Sequence, residues 1–232
     1  MENPILNTEL SKFISKMNIN RLEIPTTKQE EWRFTNLSFL KNKTFNSNNK
    51  SILKPLNNNL KSDNKNQIYI VNNCIQNDLQ EFNVIEGLDI LNMNSALKKY
   101  PQIFNDYFSK IYTYKDDYFS SENMLQINNG IFIFVQKNHH IDLPLECIFS
   151  SIDSNKQILP RIFIYCSSNS NFSFIEKYIS EDDTDSYTNV ITEIYLEENS
   201  SKLSFTALRC CICDRVLDSW GVREPLSLPS FC

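Results

Sequence analysis

The run Gly130-Ile131-Phe132-Ile133-Phe134-Val135 limits what this chain can fold into more than any other stretch. Its apolar residues, Ile131 to Val135, are all β-branched or aromatic and lie between Asn128-Asn129-Gly130 and the polar Gln136-Lys137-Asn138. The run is too short for a capped helix and has no polar face, so it reads as a strand buried on both sides. Similar runs occur at Leu145–Ile152, Ile158–Cys166, Phe172–Ile179, Val190–Leu196 and Leu203–Leu208, with no helical periodicity between them. Their spacing of roughly 11 to 17 residues predicts successive coils of one β-rich body.

The front of the chain has a different period. Leu6, Leu10, Phe13, Ile14 and Met17 fall on one stripe, which predicts an amphipathic helix over about residues 6–18. Thr27, three residues before Glu30, has the spacing of a capping box and predicts a short helix carrying Trp32. Residues 41–67 are rich in Asn, Lys and Ser and read as a polar linker, because such a composition buries too little apolar surface to offset ordering entropy. Ile68–Val71 and Val84–Leu91 read as extended. Asn94 is expected to cap a helix through Leu97, and Pro101 to open the next, with Ile103, Phe104, Tyr107, Phe108 and Ile111 on one side. A third helix is expected from about Asp116 to Leu125. A mainly helical region over 1–127 followed by strands over 128–208 argues for two segregated regions, not a βαβ sheet.

Composition narrows the function classes. A net charge of −5 and a pI near 5.2, with no local basic cluster, disfavour a nucleic-acid partner. No run approaches the roughly 18 apolar residues that span a bilayer, and the amino terminus lacks the pattern of a secretory signal, so a soluble cytoplasmic or plastid stromal protein is expected. The 7 cysteines are an odd number, and Cys74, Cys147 and Cys166 stand singly in or beside apolar runs, as buried reduced thiols do. With 3 glycines in the chain, Asn must serve as the main turn former.

The clusters that suggest chemistry have plainer readings. Glu30, Glu31 and Arg33 could be an acid-base group, but consecutive residues point to different helix faces, and acidic residues suit a helix start. His139 and His140 would need a thiolate and an orienting third group to act as a nucleophile pair, and they read as solvated turn residues. Cys210, Cys211 and Cys213 with distant Cys232 lack the matched second pair of a zinc site. The acidic run Glu181-Asp182-Asp183-Thr184-Asp185 lacks the spacing of a calcium loop. Phosphate loops, dinucleotide fingerprints and hydrolase elbows do not occur. No residue is therefore assigned a catalytic, cofactor-binding or metal-binding role, and the chain is not expected to be an enzyme.

Three features together resemble one family. Pro25-Thr26-Thr27-Lys28-Gln29-Glu30-Glu31-Trp32-Arg33-Phe34-Thr35-Asn36-Leu37 resembles the PTxxEEWRYTNL opening of the SufD branch of the SufB/SufD iron-sulfur cluster assembly scaffolds. The Tyr100-Pro101 helix is similar to the one preceding the core of these proteins. Asn129 to Asn138 resembles the GxFIYVPKG opening of that core, and Leu143-Pro144-Leu145 fits the proline between apolar residues that comes next in the family. Gln136 and Asn138 stand where the family has proline and glycine.

The resemblance runs from about residue 20 to about 205. It implies a right-handed parallel β-helix, incomplete here, preceded by the mainly helical region. It also implies a non-catalytic scaffold acting with SufB and the SufC ATPase, any iron-sulfur cluster being held only by the complete complex. Family members continue beyond this length, so the resemblance places the SufB-pairing surface, the ATPase-binding region and the cluster-holding residues downstream. A β-helix left open at that end is expected to self-associate.

From Lys202 to Cys232 there is no Asn, while half the arginines and most of the cysteines crowd into the last stretch. Residues 209–232 are accordingly expected to be a tail foreign to the family fold, with Trp220 and Phe231 poorly packed. Two rival readings are an independent β-solenoid binding module and a Cys-dependent enzyme using Cys210, Cys211 or Cys213.

Overall fold

A strand that is apolar on both faces must be covered on both, and the computed structural model shows how this chain does so. It describes residues 8–42, 44–45, 66–79, 82, 85–111, 117–127, 130–152, 155–180 and 186–200, together with the backbone of 204–210 and 216–223. The front contains α1 (Glu9–Ser15), a single 3-10 turn (Glu30–Trp32), α2 (Ser38–Asn42), β1 (Gln67–Val71), β2 (Cys74–Ile75), β3 (Leu88–Asn92), α3 (Met93–Lys99), α4 (Pro101–Tyr107) and α5 (Tyr118–Leu125). The back contains β4 (Gly130–Val135), β5 (Leu145–Ser151), β6 (Gln157–Ile158), β7 (Arg161–Cys166), β8 (Ser173–Ser180), β9 (Tyr187–Leu196), β10 (Ser204–Cys210) and β11 (Val216–Arg223).

Local chemistry explains where the helices begin. Thr8 and Ser11 form a reciprocal capping box at α1, and Pro101 occupies the first turn of α4, where its missing N–H costs nothing. Two expected caps are corrected. The Thr27–Glu30 box does not form: the helix there is one turn long, Gln29 Oε1 accepts from the Thr26 amide at 2.7 Å, and Glu30 turns to Arg33 instead. Asn92, not Asn94, caps α3, because the helix starts directly on leaving β3. Asn94 Oδ1 instead accepts from the Leu10 amide at 3.1 Å and ties α1 to α3.

β1 pairs with β5, and from β4 onward the strands pair with one another, in parallel and not with their sequence neighbours, while β1 with β2 and β3 with β4 pair antiparallel. One sheet has the order β10-β8-β5-β1-β2 and the other β11-β9-β7-β4-β3, with β6 beside β9. From β4 onward the chain alternates between the two sheets, β6 excepted. Gly130 pairs with Arg161 and Arg161 with Ile191, while Leu145 pairs with Phe174. The expected single strand 158–166 is split into β6 and β7 at Leu159-Pro160, since Pro160 has no amide to give a ladder. Strand β11, in the stretch expected to be foreign, pairs with β9 from Val216↔Thr188 to Arg223↔Tyr195. The side chains of Trp220 and Phe231 lie outside the described residues, as does most of the expected linker.

The period of two along each strand sorts side chains into two cores. Ile131, Ile133 and Val135 join Ile162, Ile164, Leu145, Cys147 and Phe174 in a cluster of residues from both sheets. Phe132 and Phe163 point the other way, against Leu10, Met93, Phe104 and Phe108 of the helices. A third cluster joins Leu37, Leu40, Tyr118, Phe119 and Tyr187, with half-buried Trp32 beside Phe119. Helical cover on one face and a facing sheet on the other is why the strand runs are continuously apolar.

Candidate functional site

Several of the deeply buried polar groups among the described residues lie where the helices meet the strands. α5 begins with Asp117, whose carboxylate accepts from the Ser120 amide at 2.7 Å, and this sets the helix so that Glu122 faces inward. The Glu122 carboxylate accepts from Tyr118 Oη at 2.9 Å, Gln157 Nε2 at 2.9 Å and Tyr187 Oη at 2.6 Å, with Asn189 Nδ2 at 3.5 Å. Burial, reinforced by the Glu122 charge, pushes the phenols of Tyr118 and Tyr187 well above their ordinary range. They remain donors. Next along α5, Asn123 donates to the carbonyls of Pro160 at 3.0 Å and Asn189 at 2.9 Å, and Asn189 returns a bond to Phe119 O at 2.8 Å. This network fastens α5 to β6, β9 and the Pro160 break.

A second centre lies on the helix-covered face of the same sheet. Arg161 of β7 pairs with Glu193 of β9, both at most 1% exposed, and the guanidinium sits 5.2 Å from the Phe108 ring centre. Burial raises the Glu193 carboxyl above its ordinary range even though Arg161 pulls the other way. Between the sheets, fully buried Glu176 accepts from Tyr178 and, at 2.6 Å, from Thr192 Oγ1. Each of these carboxylates is held by neighbouring side chains, so the arrangement serves to join elements.

The residues singled out from sequence do not come together. Glu30 and Arg33 form an exposed pair at 2.7 Å, and Arg33 lies over Phe34, which is 87% exposed. His139 bonds its own turn through Lys137 O and packs against Gly87, while His140 forms a parallel bridge with Asn171. Cys74 is half-buried, and burial pushes its thiol up; Cys147 and Cys166 are interior and their thiols are raised for the same reason. The side chain of Cys210 and all of Cys211, Cys213, Cys232 and residues 181–185 lie outside the described residues. Among the described residues no group of three or more His, Cys, Asp or Glu is placed to hold a metal ion, and no helix is long and apolar enough to cross a membrane.

Sequence reasoning missed Glu122, whose setting in Ser120-Ser121-Glu122-Asn123 looks solvated, and it missed a repeat. Asn138, Asn169 and Asn199 all adopt positive φ, at 62, 58 and 57, at equivalent corners after β4, β7 and β9. Aligning Val135 to Asn138 with Cys166 to Asn169 and Leu196 to Asn199 would have exposed the repeat that relates β4, β7 and β9.

Comparison with known sequences adds the family context. The profile described as "SufBD protein N-terminal region" matches residues 4–147. A protein of Pyrococcus horikoshii named as an iron-sulfur cluster assembly SufBD family protein is 28% identical over 152 residues, covering 62% of this chain and 34% of its own length. Proteins with the same designation from Mycobacterium tuberculosis and Staphylococcus saprophyticus are 28% identical over 107 residues and 29% identical over 91. Those matches cover 46% and 39% of this chain, and 12% and 20% of the relatives. The matched part of the chain thus spans about a third or less of the length of these relatives.

Proposed function

The chain belongs to the SufBD family, and we propose that it is a SufD-like, non-catalytic scaffold component in iron-sulfur cluster assembly. The profile match over residues 4–147, which runs from the helical front into β5, carries this reading. The parallel ladders that alternate between two sheets support its fold counterpart, the first coils of a right-handed parallel β-helix. Stacked coils suit a scaffold, because each buries its interior only against its neighbours and the stack forms a stiff surface. The partners on this reading are SufB and the SufC ATPase. Their contacts, and any cluster, belong to the longer assembly, since the matched part spans about a third of the archaeal relative.

A chimera tests the proposal. Residues 4–147 of this chain replace the matching segment of a full-length SufD or of a full-length SufB, each in a strain lacking the protein replaced. Recovery of aconitase-type iron-sulfur enzyme activity in the SufD chimera, with SufB and SufC co-purifying, is the expected result. Recovery only in the SufB chimera would reassign the branch. Folded chimeras that rescue neither strain would remove the iron-sulfur reading and favour an independent β-solenoid binding module.

A further inference from the structure

Three tyrosines from separate elements meet at the corner where α4 crosses the helix-covered sheet. The ring centres of Tyr107 and Tyr195 are 4.1 Å apart, those of Tyr165 and Tyr195 are 5.1 Å apart at 17°, and those of Tyr107 and Tyr165 are 5.2 Å apart. Tyr165 donates its hydroxyl to Glu197 Oε1, while Glu197 Oε2 accepts from the Ser168 amide at 2.8 Å and from Ser168 Oγ at 2.6 Å. Tyr165 is buried, whereas Tyr107 and Tyr195 are only partly so. We propose that this cluster is a site of one-electron oxidation at which Tyr107 and Tyr195 become joined as an intrachain dityrosine.

The chemistry is independent of the family assignment. A phenol loses an electron at accessible potentials only if its proton leaves too, so a fixed base on the hydroxyl promotes the step. Burial opposes charge on Glu197, but the bonds from Ser168 and Tyr165 outweigh it and hold the carboxyl below its ordinary range, so it is ionised at neutral pH. In the first step Tyr165 gives an electron to the oxidant and its proton to Glu197. The stacked Tyr195 ring then reduces Tyr165, which recovers its proton from Glu197, and Tyr195 releases its own proton to water. A second oxidant equivalent takes an electron from Tyr107, whose proton passes to water. The two phenoxyl radicals form a carbon–carbon bond ortho to their hydroxyls, and the ring protons displaced there return to the oxygens. The net change is loss of two electrons, accepted by two equivalents of a one-electron oxidant, and of two protons, released to water.

Other phenols also donate to carboxylates, including Tyr178 to Glu176 and Tyr100 to Asp89. The Tyr100 ring packs on Phe132 and Phe134 and the Tyr178 ring on Phe149, neighbours that cannot form a dityrosine.

The test exposes the whole chain to photogenerated ruthenium(III) tris-bipyridyl, with persulfate as terminal electron acceptor, and maps the products by peptide mass spectrometry. The expected result is a chain lighter by two hydrogens, with the Tyr107–Tyr195 linkage as the main intrachain product. Tyr195→Phe should abolish that linkage, and Glu197→Gln should slow its formation at neutral pH by at least about tenfold. Tyr178→Phe should leave it unchanged. Linkages scattered over the other tyrosines of the unsubstituted chain, or unchanged rates with Glu197→Gln, would overturn the proposal, and the first outcome needs no variant to fold.

Discussion

Asn169 donates its side-chain amide to the side-chain carbonyl of Asn138 at 3.0 Å, and both residues lie in the left-handed region. The backbone repeats the relation: Asn138 donates its amide to Ser168 O, and Asn169 to Glu198 O, each at 3.1 Å. The turn after β4 is therefore bonded to the turn after β7, and that one to the turn after β9. For an ordinary residue the left-handed conformation costs about 1–2 kcal/mol, whereas Gly adopts it freely. Asn169→Gly should leave stability nearly unchanged and Asn169→Val should lower it by about 1–2 kcal/mol. Urea denaturation of the two variants checks this, and equal loss in both would show that the side-chain bond, not the backbone, dominates.

Arg161 and Glu193 are linked tightly enough to predict a non-additive pair. Arg161→Met leaves a buried carboxylate without its guanidinium and should cost about 3–5 kcal/mol. Adding Glu193→Leu should return part of that loss, so the double variant is expected to be more stable than Arg161→Met alone. A double-mutant cycle by chemical denaturation measures the coupling.

Tyr187→Phe removes one donor from Glu122 without opening a cavity. The lost bond is to a buried carboxylate, so the expected cost is about 1.5–3 kcal/mol. Hydrogen exchange should show the loss concentrated in α5 and β9, the elements this bond joins. Uniform weakening of all strands would contradict the fastening role of Glu122.

Acid should act on the carboxylates with two signs. Burial opposes the charge of Glu146, but Lys177 Nζ and Gln67 Nε2, each at 2.7 Å, hold its carboxyl below the ordinary range, as Ser168 and Tyr165 do for Glu197. Groups depressed in the folded state contribute stability that is fully present above the unfolded value of about 4.3 and lost as pH falls through the folded value. Glu193 is raised, so the native state takes up its proton more readily and acidification relieves part of its burial cost. Denaturation midpoints should therefore fall on acidification below about pH 5. The fall should be shallower in Glu146→Gln and Glu197→Gln and steeper in Glu193→Gln.

Gly87 combines a φ of 78 with contact against a side chain: a Cβ there would lie 2.2 Å from the His139 ring. Gly87→Ala should be destabilising through both causes. Pairing it with His139→Gly, which also removes the His139 Cβ that would lie 2.6 Å away, should recover the steric part and leave the left-handed cost of about 1–2 kcal/mol. Thermal melts of the two single variants and the double separate the contributions.

Much of the architecture is legible in the residues alone. Ile131 to Val135 requires cover on both faces, Pro101 suits the start of a helix, and Leu10, Phe13, Ile14 and Met17 form a stripe that packs as expected. These are consequences of local geometry: backbone dihedrals, missing donors and side-chain period act within a few residues. Which strand lies beside which, the choice of Asn92 over Asn94 as cap, and the gathering of Tyr118, Gln157, Tyr187 and Asn189 on Glu122 were decided only in three dimensions. Those choices depend on burial shared between residues tens of positions apart, and a polar side chain such as Glu122 reads the same in sequence whether water or four buried donors will receive it.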